Sequence, residues 1–236
     1  MAGPVALVGS GEYTDAMIDV DKQLLDGRPR RYVQIPTAAA PEGEQVLDKW
    51  VGMGVTHAAK LDAEAVPLRV RDRADADDPA IVAQLDGAGL IYFSGGNPLF
   101  LADTLRDTAL WRRVVELHEA GTALGGCSAG AMAFGGWVPD IRHPTRAGRP
   151  GLGLFAHLRV LPHFDRFLGR MPDLLLRPFM KPIPGVHTVG VDEDTALVGG
   201  PEHYVVQGRQ SAWILDEGTR TEYAAGTAME LPAHAE

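Results

Sequence analysis

The sequence predicts an α/β fold on a mostly parallel central sheet with helices on both faces, and three observations lead there. Short apolar runs alternate with helical patterns over most of the chain, the mark of βαβ units. Three of those runs end in small-residue turns, Gly9-Ser10-Gly11, Ser94-Gly95-Gly96 and Gly126-Cys127-Ser128. In such sheets ligands gather at the carboxyl ends of strands, where all three turns fall. The 236 residues, 45% of them apolar, can bury one sizeable core, so residues 1–236 are read as a single domain.

Taken in order, Val5-Ala6-Leu7-Val8 is a buried strand closed by Gly9. Apolar residues at Met17, Ile18, Val20, Leu24 and Leu25 give a helix over 15–25, stopped by Gly27. Tyr32 to Pro36 is the second strand, and a helix over about 42–51 is expected to end at Gly52 and Gly54. His57 to Leu61 and Ala65 to Val70 are weaker strand candidates, Pro79 to Leu85 a helix, and Gly89 to Phe93 a strong buried strand. Helices over 99–105 and 108–120 lead to the strand that begins at Thr122. A long loop over 135–153 and a strand over 158–162 follow, with a helix near 172–180. Val186 to Val191, Thr195 to Val198, Tyr204 to Gln207 and Ser211 to Leu215 form a short antiparallel C-terminal region.

Composition narrows the function classes. A net charge of −9 argues against a general nucleic-acid or anionic-membrane binder. A single cysteine excludes an internal disulfide framework and a cysteine-based zinc site. No secretory leader pattern and no membrane-length apolar stretch is visible, so a soluble, cytoplasmic protein is expected. No His-Glu-x-x-His and no histidine pair at helix spacing occurs, so no metal and no cofactor is expected. Gly9-Ser10-Gly11-Glu12 lacks the third glycine of a dinucleotide-binding loop, because Thr14 stands there, and it reads as a structural turn lining the pocket.

Chemistry concentrates at Gly126-Cys127-Ser128-Ala129-Gly130, a G-x-S-x-G frame between strand and helix. A side chain pushed out at so tight a bend needs small residues two before and two after it. The helix that starts there offers unpaired N–H groups to an oxyanion. Serine is a weak nucleophile at neutral pH and needs a base within hydrogen-bond reach. His163 follows an apolar strand at the same end of the sheet, whereas His57, His118 and His234 read as packing or surface residues. Cys127 would place Ala129 where its own frame needs glycine, so it reads as a buried flanking residue.

Ser128-Ala129-Gly130-Ala131, Gly95-Gly96-Asn97, Gly151-Leu152-Gly153-Leu154, Pro162-His163-Phe164 and Val191-Asp192-Glu193-Asp194-Thr195-Ala196 resemble motifs of the serine peptidase family of cyanophycinase and aspartyl dipeptidase (dipeptidase E). The resemblance implies the three-layer, flavodoxin-like fold of class I glutamine amidotransferase-like domains. It also implies a Ser–His–acid triad, with Ser128 as nucleophile and His163 as base. The N–H groups of Ala129 and of Gly96 or Gly95 would hold the oxyanion, with Asn97 in the same turn. Asp140, the only carboxylate between Ser128 and His163, is the nominated acid, and Asp165 is its rival. Asp192, Glu193 and Asp194 read as the border of a turn between strands.

The implied activity is hydrolysis of a peptide or isopeptide bond in a small substrate containing aspartate. Eight Arg or Lys residues against two Asp between Ile141 and Pro182 agree, since a cationic rim attracts carboxylates. A set of solvated arginines facing the acidic remainder gives the same count. The implied partner is a small peptide or amino-acid-derived substrate, with no nucleic acid and no membrane, and a homodimer is left open. The alternative is a non-catalytic small-molecule binding or regulatory domain on the same scaffold.

Overall fold

Apolar alternation along the first strand already separates two packing faces. In the computed structural model, which describes residues 1–140, 148–166, 181, 183–216 and 219–233, β1 (Val5–Val8) sends Val5 and Leu7 into one buried cluster. Ala6 and Val8 enter the other. Such period-two sorting is what a strand buried on both faces requires.

Four more strands run parallel to β1: β2 (Arg31–Ile35), β3 (Glu64–Pro67), β4 (Leu90–Phe93) and β5 (Ala123–Cys127). They pair in the order β1-β5-β4-β2-β3. On the other side of β1 the sheet is extended antiparallel by β10 (Thr195–Gly199), β11 (His203–Gly208) and β14 (Ala228–Glu230). A second sheet has the order β13-β12-β9-β8, from β8 (Leu158–Pro162), β9 (His187–Val191), β12 (Ser211–Asp216) and β13 (Thr219–Ala224). β9 pairs antiparallel with β12 and β10 with β11, as expected of the C-terminal region, while β8, which precedes that region, joins β9 in parallel. β6 (Trp137–Val138) and β7 (Arg149–Pro150) form a small hairpin inside the expected loop.

Helices cover both faces of the large sheet. α1 (Ile18–Leu25) and α2 (Glu44–Lys60) contribute Val20, Leu24, Leu25 and Ala58 to the cluster containing Ala6 and Val8. α3 (Arg73–Asp77), α5 (Pro98–Leu105), α6 (Ala109–Glu119) and α7 (Ala129–Phe134) supply the opposite cluster. A short helix α4 (Pro79–Val82) packs beside them. That opposite cluster also takes in Val189, Val191 and Ala212 of the second sheet, so both sheets share one core.

Three expectations are corrected. The helix expected to end at Gly52 continues as α2 to Lys60, so His57 to Leu61 is not a strand. Helical packing on the sheet outweighs the propensity cost of two glycines. The strand expected over 65–70 is only β3. Strands β13 and β14 were not anticipated, because their faces are mostly exposed and carry little apolar alternation. The helix expected near 172–180 and His234 lie outside the described residues.

Candidate active site

β5 delivers the nucleophile elbow. Ser128 sits between β5 and α7 at φ +50° and ψ −101°, a region an L residue enters only under constraint. The small neighbours are obligatory. A Cβ at Gly126 would stand 2.8 Å from the Gly130 carbonyl carbon and 2.8 Å from Phe134 Cε2. One at Gly130 would stand 2.4 Å from the Phe93 carbonyl oxygen. The crowding anticipated from G-x-S-x-G is therefore present on both sides of the serine.

His163 arrives from the other sheet, immediately after β8. Its Nε2 lies 2.6 Å from Ser128 Oγ, hydrogen-bond distance for a nucleophile and its base. On the far side of the ring, Nδ1 stands 3.6 Å from Glu193 Oε1. Glu193 belongs to the turn between β9 and β10 and also faces Arg166 Nη1 at 3.3 Å. Its main-chain N–H donates to Asp165 Oδ1 at 3.0 Å. Asp165 further accepts from Gln210 Nε2 at 3.3 Å. The rival acid thus braces the turn that carries Glu193. Asp140 lies two residues beyond β6, half-buried.

The three carboxylates of that turn do different work. Asp192 points inward, accepting from Ser211 N at 3.2 Å and Trp213 Nε1 at 3.0 Å. Burial raises its pKa above the usual carboxylate range. Asp194 accepts from Thr14 Oγ1 and faces Arg209. Of these three, Glu193 faces the imidazole, and sequence spacing could not separate it from its neighbours.

The β4 turn supplies the remaining wall. Gly95 N–H donates to Glu12 Oε1 at 2.8 Å, and Asn97 N–H donates to the Ala38 carbonyl at 2.7 Å. Among the described residues no protein acceptor is seen for the N–H of Gly96, an exposed residue at φ +138°. The N–H of Ala129, first residue of α7, is likewise one of the unpaired donors of a helix start. The Asn97 side chain caps α5, its Oδ1 accepting from Phe100 N at 3.1 Å.

Cys127 is fully buried and donates its thiol to Glu12 Oε2 at 2.8 Å. Burial first, and then the Glu12 charge, push its pKa well above the usual thiol range, which keeps it protonated. The cations counted between Ile141 and Pro182 are only partly described. Arg142, Arg146, Arg170 and Arg177 lie outside the described residues. Arg159 is buried and donates to Thr188 Oγ1 and the Lys181 carbonyl, while Arg149 pairs with Asp103. Arg166 remains beside the dyad with 65% of its side chain exposed.

Among the described residues, no group of three or more His, Cys, Asp or Glu is placed to hold a metal. No helix among them is long and apolar enough to cross a membrane.

Several known proteins are similar to this chain over most of its length. The chain is 30% identical over 193 residues to the cyanophycinase of Geminocystis herdmanii, an alignment covering 78% of this chain and 69% of that protein. It is 32% identical over 168 residues to the cyanophycinase of Synechococcus elongatus, covering 66% of this chain but only 51% of that one. A crystal structure of a peptidase from an acI-B1 Actinobacterium superposes with a TM-score of 0.88 at 38% identity, covering 98% of this chain and 97% of its own. A putative peptidase E from Listeria monocytogenes shares the fold at a TM-score of 0.63 and 18% identity, over 89% of this chain and 100% of its own. The model of peptidase family S51 matches residues 5–204, and with most of the sequence inside that match the chain belongs to this family, as a serine-type peptidase.

Proposed function

We propose that this protein hydrolyses a peptide or isopeptide bond in a small, aspartate-containing substrate through Ser128, His163 and Glu193. The observation that carries the reading is the 2.6 Å contact between Ser128 Oγ and His163 Nε2, made across two sheets. Ser128 Oγ attacks the scissile carbonyl carbon while His163 Nε2 takes the hydroxyl proton. The carbonyl oxygen becomes an oxyanion held by the N–H groups of Gly96 and Ala129. The intermediate collapses as His163 returns the proton to the leaving amine, which departs and leaves an ester on Ser128. Water then attacks that ester with His163 again as base, releasing the acid and restoring the serine. Glu193 orients the imidazole and stabilises its charged form, a role the 3.6 Å pairing supports better than any contact of Asp165.

Aspartate in the substrate is favoured by Arg166, which sits next to Glu193 and remains mostly open to solvent. The Geminocystis and Synechococcus relatives, both cyanophycinases, support the same choice, and this chain spans 69% and 51% of their respective lengths.

A fluorophosphonate probe and a panel of α- and β-aspartyl dipeptides test the reading together. The wild-type protein is expected to be labelled at Ser128 and to cleave members of the panel. Ser128→Ala is expected to lose both, with an unchanged melting temperature. Labelling or full turnover in Ser128→Ala overturns the mechanism, and an unlabelled wild type favours a binding domain without catalysis.

A further inference from the structure

The two oxygens of Glu12 touch two different catalytic segments. Glu12 follows β1, and its carboxylate crosses to the ends of both β4 and β5. Oε1 accepts from Gly95 N–H at 2.8 Å and Oε2 accepts from Cys127 Sγ at 2.8 Å. Gly95 itself lies against the nucleophile, since a Cβ built on it would stand 3.7 Å from Ser128 Cβ.

Resting on the hydrolase reading above, we propose that Glu12 is a positioning residue that clamps the Gly95-Gly96 turn to the serine elbow and thereby aims the Gly96 N–H at the oxyanion. Two adjacent glycines are the freest backbone a chain can have, and a turn made of them needs an outside anchor. The Gly95 N–H is spent on Glu12 and the Asn97 N–H on Ala38, so the peptide between Gly95 and Gly96 is held at both ends. Its N–H, that of exposed Gly96, has no protein acceptor among the described residues. The thiol contact fixes the other end of the clamp one residue before Ser128. The raised pKa of Cys127 keeps that thiol a donor across the neutral range. Oxyanion donors must sit within a fraction of an ångström of the developing charge, and removing one outright costs about 10²–10³ in rate. Loosening one costs less.

Reach and charge can be separated by substitution. Glu12→Gln keeps the length and an acceptor for Gly95 N–H, whereas Glu12→Asp keeps the charge but is one methylene short of spanning both partners. The rate of Ser128 phosphonylation by a fluorophosphonate, resolved into a maximal rate and a half-saturation concentration, reads the oxyanion site directly. Glu12→Gln is expected to stay within about threefold of wild type. Glu12→Asp and Glu12→Ala are expected to lose about tenfold or more in maximal rate, with half-saturation held within about threefold and folding verified by thermal melting. A general structural defect would move both constants and the melt in all three variants. Wild-type rates in Glu12→Asp, or a Glu12→Gln as slow as Glu12→Ala, overturn the clamp while labelling of the wild type and not of Ser128→Ala keeps the hydrolase standing. Absence of labelling in the wild type overturns the hydrolase reading and the clamp with it.

Discussion

Ser128 is held at φ +50°, a backbone state costing about 1–3 kcal/mol, and its neighbours are packed so that it cannot relax. His163 shares the feature at φ +129°. Strain at both partners is the expense of pointing two side chains at each other from different sheets. The acid completing the set decides how well the imidazole is oriented. Glu193→Gln is expected to lower kcat by about 10²-fold on a cleaved dipeptide, while Asp140→Asn stays within about threefold. The reverse ranking would return the acid role to Asp140. The serine and histidine were legible because each carries a local signal, a glycine frame and a strand end. Glu193 carries none, since it stands between two other carboxylates, and the turn from β9 of one sheet to β10 of the other brings it toward the ring. Glu12 was visible as part of a turn, but its reach to β4 and β5 is a property of strand order.

Helix α2 shows what a local rule misses. Two glycines within 52–54 predict a stop, yet the helix runs through them because its buried side packs on the sheet. The two positions differ. Gly52 is exposed and a Cβ there meets nothing within 4 Å, whereas one on Gly54 would stand 2.3 Å from Gln34 Cδ. Gln34 is buried and cannot yield cheaply, because its Nε2 donates to Tyr13 Oη at 2.7 Å and the Trp50 carbonyl at 2.8 Å. Gly52→Ala is therefore expected to raise stability by about 0.5–1 kcal/mol through helix propensity. Gly54→Ala is expected to lower it, because displacing Gln34 outweighs the same gain. Thermal or urea melts of the two variants check the opposite signs. The parallel strands were readable from their apolar runs, whereas β13 and β14 were not, being exposed on most positions.

Across the whole molecule, acid sensitivity has an identifiable contributor in His118. Burial lowers its pKa, outweighing the contact of its Nδ1 with the Thr122 carbonyl. The unfolded chain therefore binds a proton at His118 more readily than the folded one, and stability must rise with pH through that range. Its contribution is full above the unfolded value of about 6.5 and declines as pH falls below it. Melting temperatures measured between about pH 5 and 8 are expected to fall toward acid, with a shallower slope in His118→Gln.

The order in which the working parts leave the ribosome also has a consequence. A growing chain that has emerged through the first sheet's parallel strands already exposes the serine, but no proton acceptor exists for it. The imidazole lies thirty-five residues further on and its carboxylate thirty beyond that. Under the proposed mechanism, synthesis therefore yields an inert polypeptide until residue 193 has been added. On that mechanism, a fragment ending before His163 is expected to have no capacity to cleave its surroundings.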